Sequence, residues 1–146
     1  MIIYTIGFTK RKAADFFNLI RSEGIELMVD IRLNNSSQLA GFTKDPDIAY
    51  FLDEICACKY DHDTSLSPTK EILDIYKDGS IAWEDYEREF RLLMEERGAI
   101  EEFIEKYAAY SRVCLLCSEF SPKNCHRGIV AELLREKSPG WEIRHL

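Results

Sequence analysis

Short apolar runs alternate along this chain with longer segments in which apolar residues recur at helical spacing. Three of the apolar runs are rich in β-branched residues and end in glycine or charged residues, a pattern typical of buried strands. Two shorter segments of extended character complete the set. Strands are predicted in IIYTIGF (2–8), IELMVDIR (25–32), CKYDHD (58–63), SRVCLLCSE (111–119) and WEIRHL (141–146).

Helical periodicity fills the segments between these strands. Amphipathic helices are predicted in RKAADFFNLIRSEG (11–24), DPDIAYFLDEICA (45–57), SPTKEILDIYKDG (67–79), AWEDYEREFRLLMEERG (82–98), AIEEFIEKYAAY (99–110) and SPKNCHRGIVAELLREK (121–137). Polar residues next to prolines indicate where three of these helices begin. The predicted caps are Asp45, Ser67 and Ser121, with Asn124 as the alternative to Ser121.

This alternation of strands and helices indicates an α/β protein, because parallel strands need crossover connections that are usually helical. We therefore predict a three-layer, Rossmann-like α/β fold with a mostly parallel sheet and extra helices in the middle of the chain. With 146 residues, the chain is expected to form a single α/β domain over residues 1–146. The pattern leaves the order of the strands open.

Composition limits the kinds of partner. The formal net charge of −7 disfavours a broad nucleic-acid-binding face, although a local basic pocket stays open. No apolar run approaches the roughly 18 residues of a membrane span, and the opening MIIYTIGF lacks the features of a secretion signal. We therefore expect a cytoplasmic protein without membrane association. Five cysteines, an odd number, favour reduced thiols over a disulfide framework.

Polar or flexible residues follow several of the predicted strands at the point where each strand ends. In open α/β sheets, ligands bind in the crevice beyond the carboxyl ends of the strands. If the sheet is parallel, these residues converge on one edge. They are Gly7 and Phe8, Asp30 and Arg32, Asp61 and His62, and Cys117 with Glu119.

The segment LLCSEFSPKNCHR (115–127) concentrates the chemistry. Cys114 and Cys117 have CxxC spacing, but on a strand they point to opposite faces, so Cys114 is expected to be a buried core thiol. Cys125 and His126 fall in the first turns of the last helix and are expected to face the sheet. The N-terminus of a helix favours anions and lowers the pKa of a thiol, and Arg127 adds a cation.

These residues allow three interpretations. In the first, Cys117 or Cys125 is a thiolate nucleophile, His126 a base and Arg127 an anion clamp. In the second, Cys117, Cys125 and His126, with or without Glu119, hold a metal. In the third, the cysteine fills a buried helix end, and His126 and Arg127 bond to Glu119 and Asp30 structurally. Asp30 and Arg32 could likewise form a structural ion pair.

The chain also resembles the domain-of-unknown-function 488 family, over essentially its whole length. The matching stretches are YTIGF (4–8), LMVDIRLNNSSQLAGF (27–42), SLSPTKEILDIYK (65–77), LLCSEFSPKNCHRGIVAELL (115–134) and the terminal HL. The most specific part is the set Cys117, Glu119, Cys125, His126 and Arg127, supported by Gly7 and the Asp30–Arg32 motif. Many relatives read Thr-Ile-Gly-His-Ser near the start, whereas this chain has Phe8 and Thr9. The resemblance implies a fold and a site but no established reaction.

Together these observations predict a pocket at the strand ends. We assign catalytic roles to Cys117, Glu119, Cys125 and His126, and ligand binding to Gly7, Asp30, Arg32 and Arg127. The expected ligand is small and anionic, phosphate-bearing or nucleotide-like, and the expected chemistry is thiol-dependent transfer or hydrolysis. The alternative is a non-catalytic module that binds a metal or nucleic acid through the same cluster. The residues do not identify a cofactor or an oligomeric state.

Overall fold

The computed structural model describes residues 1–37 and 40–146 and contains one five-stranded sheet within them. All strand pairs are parallel, in the order β3-β2-β4-β1-β5. The strands are β1 (Ile2–Gly7), β2 (Leu27–Asp30), β3 (Lys59–His62), β4 (Arg112–Cys117) and β5 (Glu142–His145). All five strand predictions are confirmed, and the sheet is parallel throughout rather than mostly so.

Six α-helices cover the sheet within the described residues. They are α1 (Ala13–Ser22), α2 (Asp47–Cys56), α3 (Lys70–Lys77), α4 (Trp83–Arg97), α5 (Ala99–Lys106) and α6 (His126–Lys137). None of them is long and apolar enough to cross a membrane. Gln38 and Leu39, which belong to the matching stretch over residues 27–42, lie outside the described residues.

The alternation of side chains along the strands produces two separate cores. On one face, Ile3, Val29 and Leu115 pack with buried residues of α4, α5 and α6. On the other face, Met28 and Cys114 pack with buried residues of α1 and α2. Helices on both sides of one parallel sheet form the three-layer, Rossmann-like α/β architecture that the sequence predicts. The expectation that Cys114 is a core thiol is also confirmed, since it is fully buried.

The topology places a crevice between β1 and β4. The connection that leaves β1 runs through α1 to β2, whereas the connection that leaves β4 runs through α6 to β5, in the opposite direction and on the other face. Such a topological switch point leaves an opening beyond the carboxyl ends of the two adjacent strands. Gly7 and Cys117 are paired in register at this point.

The helix starts differ from the predicted caps in three places. Before α2, Pro46 rather than Asp45 occupies the capping position, and it makes no side-chain bond. Before α3, Thr69 rather than Ser67 caps the helix, since its hydroxyl accepts a hydrogen bond from the backbone N–H of Ile72.

The last helix starts at His126, with Cys125 at the capping position, four residues after the predicted cap Ser121 and one after the alternative Asn124. Asn124, with φ of 55°, lies outside the helix in the left-handed region. Residues 118–124 consequently form a loop across the end of the sheet. This loop determines the geometry of the candidate site.

Candidate functional site

The loop after β4 passes directly over Gly7, at the end of β1. A Cβ atom on Gly7 would lie 1.6 Å from the carbonyl oxygen of Glu119, so only glycine permits this approach. The Thr9 backbone N–H and hydroxyl both donate to the carbonyl of Ser118, at 3.2 and 2.9 Å. In this structure Gly7 therefore makes room for the loop.

Arg127 donates hydrogen bonds to the backbone of the same loop. Its side chain is fully buried, and its Nη1 and Nη2 groups donate to the carbonyls of Glu119 and Phe120, the second at 3.0 Å. Nη1 also lies 3.7 Å from Cys125 Sγ, and Nε has no hydrogen-bond partner. The guanidinium thus fixes the loop backbone and brings a positive charge close to the thiols.

Two thiols and an imidazole meet at the carboxyl end of β4. Cys125 Sγ donates to Cys117 Sγ over 3.2 Å, and Cys117 Sγ lies 3.6 Å from His126 Nδ1. All three side chains are buried. β4 supplies the first residue, and the start of α6 supplies the other two. The structure therefore brings together three of the four residues to which the sequence assigns catalytic roles.

The backbone carbonyl of Ile31, the residue just after β2, determines the orientation of the His126 ring. Nε2 lies 2.9 Å from the carbonyl oxygen of Ile31, which accepts only, so Nε2 carries the proton and Nδ1 faces Cys117. The Phe90 ring lies 5.7 Å from the imidazole, between ring centroids, and limits its tilt. His126 can therefore exchange a proton with Cys117 at a defined atom.

This arrangement separates the acidities of the two thiols. The hydrogen bond from Cys125 and the charge of His126 hold the pKa of Cys117 well below its ordinary value, in spite of burial. The same hydrogen bond, together with burial, raises the pKa of Cys125. Burial on its own lowers the pKa of His126, but the negative charge on Cys117 outweighs it and the pKa is raised. These shifts favour a Cys117 thiolate next to a protonated His126, with the Cys125 thiol as hydrogen-bond donor.

The pKa values of the other two buried thiols, Cys58 and Cys114, are raised, in contrast to that of Cys117. Burial raises the pKa of Cys58 to about 12, and it raises the pKa of Cys114 as well. Neither thiol lines the cleft at the strand ends. These two residues provide internal controls for any measurement of thiol reactivity.

Asp30 and Arg32 form a buried, two-pronged ion pair beside the cluster. Arg32 Nε and Nη2 donate to the two carboxylate oxygens of Asp30 at 2.9 and 2.6 Å, and Nη2 also donates to the Thr43 carbonyl at 2.6 Å. Tyr60 donates to Asp30 over 2.7 Å. Because Ile31 lies between the two charged residues, the pair fixes the carbonyl that orients His126.

A cleft of about 500 Å³ opens above the cluster. Cys117, Cys125 and His126 are among its lining residues. Other lining residues are aromatic (Phe8, Tyr76, Tyr86) or polar (Lys77, Glu119, Asn124). Glu119, the fourth residue with an assigned catalytic role, has an exposed side chain at the cleft, and its backbone carbonyl serves the loop.

The cleft also contains residues that the sequence analysis did not select. Tyr86 of α4 packs in the core and also lines the cleft. Tyr76 and Lys77 belong to α3, whose position over the strand ends has no signal in the sequence. The Ile31 carbonyl is a backbone group, which no residue pattern can identify.

The polar residues after β3 do not join the cluster. Asp61 and Asp63 instead form a separate network, in which Tyr107 donates to both carboxylates at 2.7 and 2.9 Å and Lys106 pairs with Asp61 at 2.8 Å. Burial opposes ionisation of Asp63, yet hydrogen bonds from Ser65 and Tyr107 keep its pKa below the ordinary value. This network attaches β3 to α5 and is structural.

The cluster also meets the basic requirement of a metal site. The sulfur atoms of Cys117 and Cys125 and a ring nitrogen of His126 lie within 4.8 Å of one another. A ligating histidine usually donates its other ring N–H to a carbonyl or carboxylate, as His126 does to Ile31. Two thiolates and one imidazole are a ligand set that suits zinc.

Fold and site together define a three-layer α/β protein with a thiol–imidazole cluster at the switch point of a parallel sheet. The chain belongs to the family described as Domain of unknown function DUF488, whose model matches residues 12–134. This confirms the resemblance, although the match begins after Gly7. Neither the curated proteins nor the solved structures contain a significant match to this chain.

Proposed function

We propose that this protein is a thiol-dependent enzyme in which Cys117 is the nucleophile and His126 the proton carrier. The observation that carries the proposal is the contact of 3.6 Å between Cys117 Sγ and His126 Nδ1 at a cleft large enough for a small molecule. A thiolate beside an imidazolium is the activated form of a cysteine nucleophile. Cys125 supports it by donating its S–H hydrogen bond over 3.2 Å.

The chemistry is a transfer or a hydrolysis. Cys117 Sγ attacks an electrophilic centre of the substrate, and the proton on His126 Nδ1 passes to the leaving group. A second nucleophile, either water or an acceptor, then releases the group from the sulfur. The exposed Glu119 carboxylate at the cleft is the candidate base for that second step.

The ligand class follows from the walls of the cleft. Lys77 and the N-terminal end of α6 favour a phosphate or carboxylate, and the partly exposed ring of Tyr76 favours a flat group such as a base. A nucleotide-like anion combines the two. Arg32 and Arg127 act indirectly in this proposal, because their guanidinium groups are already bonded to Asp30 and to loop carbonyls.

Metal binding by Cys117, Cys125 and His126 is the second candidate. It is favoured by the mutual distances within 4.8 Å and by the bond of His126 Nε2 to Ile31. The cleft would leave a further coordination position open to a ligand. In that case both thiols would be protected from reagents until a chelator is added.

Alkylation by iodoacetamide, mapped for each cysteine by mass spectrometry across pH, separates the two candidates. If Cys117 is the nucleophile, it reacts in mildly acidic solution while Cys58 and Cys114 stay slow. His126→Gln, which keeps an N–H donor for Ile31, should move the reaction of Cys117 to higher pH. Protection of both Cys117 and Cys125 that a chelator removes would support the metal site instead. Uniformly slow alkylation with and without chelator would exclude both.

Nucleotides and simple phosphoesters are the first compounds to test as ligands. Protection of Cys117 from alkylation by one of them, at concentrations that leave Cys56 unaffected, would support the anionic ligand class. The matched variant is Lys77→Gln, which removes the charge from the cleft wall without touching the thiol cluster. It should weaken protection by an anion and leave the intrinsic alkylation rate unchanged.

A further inference from the structure

We infer that Cys117 and Cys125 form a redox couple, in which a hydroperoxide oxidises Cys117 and Cys125 converts the product into an intrachain disulfide. The inference rests on the proposed function, because it uses Cys117 as the attacking sulfur. It adds a second substrate class, hydroperoxides, and a second role for Cys125. The five cysteines are all free in this structure, so it represents the reduced form.

The first argument is the distance between the two sulfur atoms. They lie 3.2 Å apart, and a disulfide bond requires about 2.05 Å, so roughly 1.2 Å of approach is needed. Cys125 is the capping residue of α6, with extended backbone angles of −134° and 138°, and its side chain makes no capping bond. Its side chain can therefore turn toward Cys117 without losing a capping bond, while its carbonyl keeps the hydrogen bond from the Gly128 N–H.

The second argument is access. Both sulfur atoms belong to residues that line the cleft of about 500 Å³, and a small hydroperoxide fits within that volume. Cys58 and Cys114 are buried on the opposite face of the sheet and do not line the cleft. Oxidation should therefore be selective among the buried thiols.

The reaction balances with groups that the structure provides. Cys117 Sγ attacks the outer oxygen of the hydroperoxide, the O–O bond breaks, and the leaving alkoxide or hydroxide takes the proton from His126 Nδ1. Cys117 is then a sulfenic acid. The sulfur of Cys125 attacks the sulfur of the sulfenic acid, the S–O bond breaks, and the oxygen leaves as water. The two thiols lose two electrons, and the peroxide gains them.

Arg127 assists the second step by position. Its Nη1 group lies 3.7 Å from Cys125 Sγ, so the guanidinium stabilises negative charge that develops there as the thiol loses its proton. The same side chain holds the loop carbonyls of Glu119 and Phe120, which connects the two cysteines through a fixed backbone. Arg127 is a positioning residue in this reaction.

The test treats reduced, chelator-washed protein with one equivalent of hydrogen peroxide and measures its intact mass. The expected product has lost two hydrogen atoms, has gained no oxygen, returns to the starting mass with dithiothreitol, and yields a peptide that links Cys117 to Cys125. Cys117 should be consumed roughly tenfold faster than Cys56, as its thiolate character implies. Oxygen gain at Cys117 without a disulfide, or a disulfide between other cysteines, would overturn the inference.

Three variants localise the two roles. In Cys125→Ser, Cys117 should accumulate as a sulfenic acid that dimedone traps, and it should then gain further oxygen. In Cys117→Ser, Cys125 should stay reduced. Cys56→Ser is the matched control, because Cys56 is a partly buried thiol outside the cleft, and it should behave as the wild type. The linked peptide of the wild-type protein tests the inference even if a variant does not fold.

Alkylation of the untreated protein distinguishes failure of this inference from failure of the proposed function. If Cys117 alkylates quickly but peroxide forms no disulfide, the redox couple is wrong and the nucleophile stands. If Cys117 alkylates as slowly as Cys114, the proposed nucleophile fails and the redox couple fails with it.

Discussion

Replacing Gly7 by alanine tests how the loop over the thiol cluster is held. The added Cβ would lie 1.6 Å from the carbonyl oxygen of Glu119 and 3.0 Å from Arg127 Nη1. Both neighbours are fixed, the first as backbone and the second as a fully buried side chain. The loop must therefore rise by about 2 Å to restore an ordinary contact, and the bond from Arg127 to Glu119 must stretch.

The expected loss of stability has two parts. Overpacking at a well-packed site costs about 1–3 kcal/mol, and weakening a buried hydrogen bond from a charged donor costs about 1.5–3 kcal/mol. We expect the free energy of unfolding to fall by about 2.5–6 kcal/mol, the sum of the two parts. For a chain of this length, that corresponds to a fall in Tm of roughly 8 to 20 °C.

Thermal unfolding and alkylation of Cys117 are the two readouts. Gly140→Ala is the matched control, because its Cβ would meet nothing within 4 Å and its φ is not positive. The control should have the Tm of the wild type, whereas Gly7→Ala should have a lower Tm. Cys117 of Gly7→Ala should also be alkylated more slowly, because Cys117 pairs with Gly7 in register. If Gly7→Ala and Gly140→Ala gave the same Tm and the same alkylation rate, the proposed close approach would be refuted.

Three further predictions concern the charges around the sheet edge. In Arg127→Met, two loop carbonyls lose their hydrogen-bond donor, so the free energy of unfolding measured by chemical denaturation should fall by about 2–4 kcal/mol. Wild-type stability of this variant would contradict the contacts described. In His126→Gln, the pKa of Cys117 should rise, which shifts the pH profile of its alkylation to higher pH. An unchanged pH profile would show that the imidazole does not lower the pKa of Cys117. Asp63 has a lowered pKa in the folded state, so its contribution is present above the ordinary carboxyl pKa and is lost as pH falls through the folded value. Asp63→Asn should therefore cost about 1 kcal/mol at neutral pH, and its urea midpoint should approach that of the wild type in acid.

The strands, and the sheet edge at which they end, could be predicted because the hydrophobic pattern indicates where each strand starts and stops. The run IELMVDIR, for example, indicates a buried strand and places Asp30 and Arg32 after it. Adjacent sequence also indicated that Cys125 and His126 would face the sheet. The structure adds that both contact Cys117.

The start of α6 and the contacts of Arg127 were not predictable in this way. Ser121 and Pro122 have the composition of a helix start. The residues just before them, however, pass over Gly7 and accept hydrogen bonds from Arg127, and these tertiary contacts override the local preference. For the same reason Arg127 was assigned to a ligand, since a sequence does not reveal which carbonyls a buried guanidinium will meet. Direct ligand binding by Arg127 stays a prediction of the sequence alone, and the proposed function uses its indirect role, through the loop carbonyls, instead.

The pairing of β1 with β4 has a consequence for synthesis of the protein. Ile2 pairs with Arg112, roughly 110 positions later, and the ring nitrogen of His126 depends on a carbonyl 95 positions earlier. A chain emerging from the ribosome must keep its first strand unpaired until most of its length has been made, and long loop closure slows folding. The nucleophile proposed at Cys117 therefore forms only after β4 and α6 have been made and folded onto β1 and Ile31, and before that Cys117 is an ordinary thiol.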